Sequence, residues 1–262
     1  PPRSVGPERD PLKILVHGGT RFIGRALVGR LLAGGHEVTL LHSGHHNPFG
    51  DTVERLVADR NDHDAVGRVL RGRRFDVVFE PASLHPVRPR PAPEGARPWP
   101  LGAAGGTRLA GGQAAMAAHP PGTRIVRTQW LYGPRGNHFP GTMLRLAAER
   151  DELRVVQDQR GSPTSTLELA PALWDVLRAP LVGTFHGACE GEASWFDVAC
   201  ATLEYAGVEG VRVLPCNSDA FPRPAPRPAY SVLDCGRLAA LRGRPLAHWQ
   251  DALKTYLGNE DQ

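Results

Sequence analysis

The sequence predicts an α/β chain: a parallel sheet, shortened in its middle, followed by a small C-terminal lobe. Three observations carry that expectation. A short apolar run, Ile14-Leu15-Val16, meets a glycine-rich turn and then a helical stripe of apolar residues. Two further strand-like runs follow, from His36 to Leu41 and from Arg74 to Phe79. Residues 81–100 then hold seven prolines, so neither a central strand nor a helix can run through that stretch.

The first element is a buried parallel strand through Ile14, Leu15 and Val16. Gly18, Gly19 and Gly24 allow a tight turn, and Ala26, Leu27, Val28, Leu31 and Leu32 form the helical stripe behind it. Such a strand–turn–helix points free backbone N–H groups and the positive helix end at a pyrophosphate. Gly18, Gly19, Thr20, Arg21, Phe22, Ile23 and Gly24 are therefore the candidate cofactor-binding turn of a Rossmann-like unit. Arg21 either adds a charge-assisted contact to the pyrophosphate or is a solvated surface arginine.

The second strand ends at His42-Ser43-Gly44-His45-His46. In dinucleotide folds a carboxylate at this point binds the adenosine ribose and excludes a 2′-phosphate. None stands here, so His42 and Ser43 join the candidate cofactor site and NADP is favoured over NAD. The histidines lack a cysteine or carboxylate at ligand spacing, so no metal is expected. Asp59 is a candidate N-cap for a helix starting near His63, and Arg74 to Phe79 is the fourth strand.

Residues 81–100 predict an irregular or polyproline-like loop, whether a linker or the scar of a deletion. Arg124 to Pro134 then reads as a strand running into a turn, with a helix through Met143, Leu144, Leu146 and Ala147 after it. Three more helices are expected: 165–178, 194–206 with Ser194 as N-cap, and His248 to Leu257 with Trp249 and Leu253 inward. Residues 12–135 form the expected Rossmann-like domain, and 136–257 a substrate lobe interleaved with it.

The turn at 14–24 resembles that of the extended short-chain dehydrogenase/reductases of the NAD-dependent epimerase/dehydratase type, with Gly18 and Gly24 at the first and last glycine positions and Arg21 at the middle one. Residues 124–134 (RIVRTQWLYGP), 155–164 (VVQDQRGSPT) and 222–234 resemble the dTDP-4-dehydrorhamnose reductases within that family. The resemblance implies an NAD(P)H cofactor, a nucleotide-linked keto-deoxysugar substrate, a place in dTDP-rhamnose biosynthesis and a homodimer. It also implies that Asp59 lies in the loop that contacts adenine. Residues 100–111 resemble the family's active-site helix, but Ala104 stands where the family has Tyr and Arg108 where it has Lys. The phenol donates a proton to the carbonyl as hydride arrives, and the ammonium lowers the phenol pKa. Alanine does neither, and no Tyr-x-x-x-Lys occurs anywhere: the only lysines are Lys13 and Lys254.

Tyr132, with Arg108 retaining a positive charge, is the candidate substitute acid; its other reading is packing. His85 is a second conceivable donor. A sugar-nucleotide diphosphate needs cationic forks and hydroxyl donors, which Arg127, Arg227, Ser162 and Thr164 offer. Trp130 either stacks on a base or sugar face or packs in the core. For Arg227 an interlobe salt bridge is the alternative. Asp158 and Gln159 are expected to hold the lobe together, and Gly161 and Pro163 to serve the turn alone.

A net charge of +4 from 31 Lys+Arg against 27 Asp+Glu suits an anionic small ligand, without the dense basic stripe of a nucleic-acid binder. No apolar run is long enough to span a bilayer, and residues 1–11 read as a disordered leader. Four cysteines without Cys-x-x-Cys pairing suit reduced thiols in a cytoplasm. Two function classes emerge: an NAD(P)H-binding nucleotide-sugar reductase-like protein with an altered acid, and a catalytically silent nucleotide or sugar-nucleotide binding or regulatory protein.

Overall fold

A computed structural model describes residues 11–18, 20, 22–44, 47–59, 62–79, 91, 116–117, 123–222 and 227–258. The Pro-rich loop apart from Pro91, Ala104, Arg108 and His85 lie outside them, as do Gly19, Arg21, His45, His46 and the side chain of Phe22.

The first unit is the predicted parallel sheet. Strands β1 (Lys13–His17), β2 (Glu37–His42), β3 (Glu54–Val57) and β4 (Val77–Phe79) stand in the order β3-β2-β1-β4. Ile14, Leu15 and Val16 are buried on both faces, which is why the central strand reads as an unbroken apolar run. Ile14 pairs with Val38 on one side and Val77 on the other. Helix α1 (Phe22–Ala33) turns Leu27, Val28 and Leu31 onto this sheet, all buried. Strand β3 escaped the sequence reading because only Leu56 of its four residues faces inward, too short a pattern to register. Helix α2 (His63–Leu70) begins where expected, but its cap is Asp62, whose carboxylate accepts from the Ala65 N–H at 2.8 Å. Asp59 instead gives its backbone carbonyl to Asp62 N–H at 3.0 Å and does not cap the helix.

Beyond residue 123, β5 (Arg124–Arg127) leads to β6 (Leu131–Tyr132), and α3 (Phe139–Ala147) to β7 (Glu152–Val156). Short strands β8 (Arg160–Gly161) and β9 (Thr164–Ser165) precede α4 (Thr166–Arg178), which returns to the first unit and packs on α1. Leu169, Leu173, Val176 and Leu177 of α4 share one core with Leu27, Val28 and Leu31. Strand β10 (Gly183–His186) then pairs in parallel with β5, Phe185 opposite Val126. The remaining elements are β11 (Ala193–Ser194), α5 (Trp195–Tyr205), β12 (Arg212–Cys216), α6 (Gly236–Arg242) and α7 (Trp249–Leu257). Ser194 caps α5 in a full capping box with Asp197, and Trp249 and Leu253 of α7 face inward as expected.

A separate small core forms the lobe: Met143 and Ala147 of α3, Leu153 and Val155 of β7, Ala199 and Leu203 of α5. Its two-stranded floor pairs β7 with β12 in parallel, Leu153 opposite Val213. No helix among the described residues is long and apolar enough to cross a membrane.

Candidate functional site

Open α/β sheets bind ligands outside the C-terminal strand ends, where the strand order reverses. Here that point lies between β1 and β4, which flank each other although two strands separate them in sequence. Gly18 leaves β1 at φ +75°, a conformation that favours glycine, and its N–H donates to the Leu41 carbonyl at 2.9 Å. That proton is spent on the sheet, so Gly18 shapes the turn rather than binding an anion. The N–H groups free for a phosphate are those of the first turn of α1, from Phe22 onward, which have no intrahelical acceptor. No carboxylate stands in that first turn to oppose an anion. Ile23 and Gly24 are buried against the sheet, and Thr20 is half-buried in the turn.

At the tip of β2, His42 is buried rather than solvated. Its Nδ1 accepts the Gly44 N–H at 3.0 Å, and burial and the nearby Arg55 hold its pKa below the ordinary value of 6.5. The neutral ring fixes the turn and offers no charge to a phosphate. Ser43 beside it is exposed, as is Asp59.

A second group of side chains gathers after β5. Trp130 adopts φ +44°, a strained conformation for a bulky residue. Its indole stacks on Trp195 of α5 with centroids 3.6 Å apart and planes within 9°, and Phe139 leans on Trp195 at 4.7 Å. Both indoles are half-buried. Packing therefore holds Trp130 while leaving it only half-buried. A chain of hydrogen bonds holds the stack: Trp195 Nε1 donates to Gln159 Oε1 at 3.2 Å, and Gln159 Nε2 to Ser218 Oγ at 2.8 Å. Ser218 in turn donates its hydroxyl and its N–H to Asp158, at 2.6 and 3.0 Å. Asp158 and Gln159 thus tie the lobe together. Gly161 is needed for close approach rather than for a turn, since a Cβ there would meet the Trp130 indole at 2.5 Å.

The other expected substrate contacts fare differently. Ser162 is 2% exposed and donates to the Gly191 carbonyl; Thr164 is fully buried, donates to the Ser162 carbonyl and accepts from Cys189 N–H. Both hydroxyls are consumed inside the protein, which removes them as ligand donors. Arg127 Nη1 lies 3.5 Å from His186 Nε2, and His186 Nδ1 lies 3.1 Å from the Asp234 carbonyl. An arginine only donates, so His186 carries its proton on Nδ1 and donates it to Asp234. Arg227 is exposed. It begins a strap in which Arg160 N–H donates to Ala229 and Ser231 N–H to Arg160, at 2.8 and 2.9 Å. Glu192 clasps the strap, accepting from the Tyr230 hydroxyl at 2.6 Å while paired to Arg160 at 3.0 Å.

Tyr132 is not a substitute acid. It is 1% exposed, set edge-on to Tyr256 at 5.5 Å, and its hydroxyl is buried without a hydrogen-bond partner. Burial pushes its pKa far above the ordinary phenol value, with Cys189 and Glu168 adding to the effect. Packing is its role. Sequence reasoning missed Trp195, Glu192 and Ser231; only Trp195, directly after the Ser194 cap, carried a signal, as an aromatic residue opening a helix.

Comparison with known proteins places these features in context. A family model described as the NAD dependent epimerase/dehydratase family matches residues 14–90, and one described as the RmlD substrate binding domain matches residues 76–261. A dTDP-4-dehydrorhamnose reductase of Mycolicibacterium smegmatis is 46% identical over 157 residues, 59% of this chain and 48% of that protein. One from Streptomyces griseus is 40% identical over 194 residues, 72% of this chain and 62% of that protein. The matched span thus covers only 48% and 62% of the length of these two curated relatives. Among solved structures, a dTDP-4-dehydrorhamnose reductase from Clostridium acetobutylicum matches with TM-score 0.76 at 30% identity, covering 94% of this chain and 98% of that one. The Bacillus anthracis dTDP-4-dehydrorhamnose reductase, solved in complex with NADP, shares the fold with TM-score 0.77 at 24% identity, over 94% and 98% of the two chains.

Proposed function

The chain belongs to the RmlD substrate binding domain family, and from that premise we propose that it binds NAD(P)H and a nucleotide-linked keto-deoxysugar as a reductase-like protein of the dTDP-4-dehydrorhamnose type. The observation that carries this reading is the β1–Gly18–α1 entrance, with Gly18 at positive φ and an acid-free first helical turn at the switch point of a parallel sheet. Those residues fit a dinucleotide pyrophosphate. When bound, the dihydronicotinamide supplies hydride; the chain's part is to hold the pyrophosphate on the α1 N-terminus and to orient the sugar. The half-buried Trp130 and the exposed Arg227 support a sugar-nucleotide on the lobe side. The absence of a carboxylate at the tip of β2, where Ser43 is exposed, favours NADP. A homodimer and a cytoplasmic location belong to this same reading.

One observation favours the second reading, a catalytically silent binding or regulatory protein. With Ala104 where the resemblance expects the acid, no Tyr-x-x-x-Lys in the sequence and Tyr132 sealed in the core, neither the family's own pair nor Tyr132 serves as the proton donor of a ketone reduction. Titration with NADPH and NADH, with and without a dTDP-4-keto-6-deoxysugar, separates the two. Cofactor binding with sugar-dependent oxidation supports the reductase, and binding without turnover supports the silent protein. Absence of any binding defeats both.

A further inference from the structure

Among the described residues, strand β10 pairs on one side only, with β5. Gly183 N–H donates to the Thr123 carbonyl and Gly187 N–H to the Arg127 carbonyl, each at 2.8 Å, so Gly183 and Gly187 turn their backbone groups toward β5. Backbone groups point alternately to the two sides of a strand, and the carbonyls of Val182 and Thr184 therefore stand on the outer edge. An edge of that kind is a template for a further strand, and the exposed Leu181 just before it adds apolar surface.

Arg237, in the first turn of α6, closes this edge. Its Nη1 donates to the Thr184 carbonyl at 2.6 Å and its Nη2 to the Val182 carbonyl at 2.7 Å. The planar fork thus spans two successive outward acceptors, which the single ammonium of a lysine does not match. Its Cζ also lies 4.2 Å from the ring centroid of the fully buried Phe185, so the guanidinium rests on the strand's own side chain. Gly183 leaves room for it: at φ +100° it carries no Cβ, and one built there would stand 3.4 Å from Nη1. The helix itself gives no reason for an arginine at this point, because a cation in the first turn faces the positive end of the helix dipole. The reason lies in the strand.

We infer that Arg237 guards the outer edge of β10: its fork occupies the outward carbonyls and prevents a second copy of this chain from laying its own β10 alongside and continuing the sheet. The inference goes beyond the cofactor and sugar reading and does not depend on it. A homodimer of this protein then uses another face.

The experiment compares wild type with Arg237→Met, which keeps an unbranched stem over Phe185 and lacks the fork, and with Arg237→Lys, which keeps the charge. Analytical ultracentrifugation over a concentration series gives the mass, and hydrogen exchange is followed on the 181–187 peptide. At equal concentration Arg237→Met should reach about twice the wild-type mass or more, through edge pairing of two or more copies. Its exchange in 181–187 should slow as concentration rises, because the outward N–H groups gain acceptors; that of the wild type should not change. Arg237→Lys should show both effects to a smaller degree. A folded Arg237→Met with wild-type mass throughout overturns the inference. So does association without slowed exchange in 181–187, which puts the new contact elsewhere. If Arg237→Met fails to fold, Arg237→Lys decides on the same two readouts.

Discussion

The indole of Trp130 lies on that of Trp195 with centroids 3.6 Å apart and planes within 9° of parallel, joining the strained residue after β5 to the first residue of α5. The Gln159 side chain holds the Trp195 ring in that plane. Replacing Trp195 by Leu removes the stack and its hydrogen bond and costs about 1–2 kcal/mol, an aromatic-pair contribution plus partial burial. Near-ultraviolet circular dichroism reads the pair directly. Its exciton-type signal should vanish in Trp195→Leu and weaken in Gln159→Leu; an unchanged spectrum refutes the stack.

Gly161 sits under the same indole. In Gly161→Ala the added methyl meets Trp130 at 2.5 Å and Ser231 Oγ at 2.8 Å, and two fixed neighbours leave it nowhere to go. The expected loss is about 1–3 kcal/mol, the usual cost of overpacking. Urea denaturation checks it, and a variant as stable as wild type contradicts this packing.

Tyr132→Phe distinguishes packing from proton donation. Its hydroxyl is buried with no partner, so its removal should leave stability unchanged or raise it by about 1 kcal/mol. NADPH affinity, and any turnover the wild type shows, should be unaffected. A loss of turnover in this variant with binding intact would restore Tyr132 as the acid.

Stability should fall as the solution is acidified below pH 6.5. Burial holds His138 below its ordinary value of 6.5, and burial together with Arg178 and Arg55 does the same for His36 and His42. A folded-state pKa below the unfolded one means the unfolded chain binds protons first. These groups therefore contribute fully above pH 6.5, and the contribution is lost as pH falls toward their folded values. His138 has most to lose: its Nδ1 accepts the Gly141 N–H at 3.1 Å as the cap of α3, and Nε2 lies 2.9 Å from the Tyr256 hydroxyl. Denaturation midpoints at pH 7.5 and 5.5 should differ, and His138→Asn, which keeps a capping acceptor, should shrink the difference. Equal midpoints in wild type defeat the argument.

Helix α2 offers a test of capping. Asp62→Ala should cost about 1 kcal/mol, because the Ala65 N–H loses its acceptor. Asp59→Ala leaves that cap in place. The two variants compared by thermal melting should differ in this order, and the reverse order would return the cap to Asp59.

Local patterns carried much of this protein. The Ile14-Leu15-Val16 run, the stripe from Ala26 to Leu32 and the Ser194 cap each state their structure within a few residues, since burial on both faces, helical period and cap chemistry are short-range properties. The segment 155–164 and its neighbours carried the family. Strand β3 was invisible because a single inward residue makes no pattern, and the cap expected at Asp59 lies three residues on at Asp62, directly before the helix.

Site chemistry divided the same way. That Ser162, Thr164, Trp130 and Tyr132 matter was legible from their setting; what each does was not. Whether a hydroxyl faces a ligand or the Gly191 carbonyl depends on a segment some thirty residues away, and whether a phenol donates depends on whether Tyr256 covers it. The sequence by itself determined the parallel sheet, the glycine turn between β1 and α1 and the lack of a Tyr-x-x-x-Lys pair, because each is a matter of residue type and near spacing. Only the tertiary structure decided that Tyr132 is sealed, that Trp130 lies on Trp195 and that Arg237 takes the outer carbonyls of β10. Burial and hydrogen-bond partnership are set by residues distant in the chain, and no local pattern encodes them.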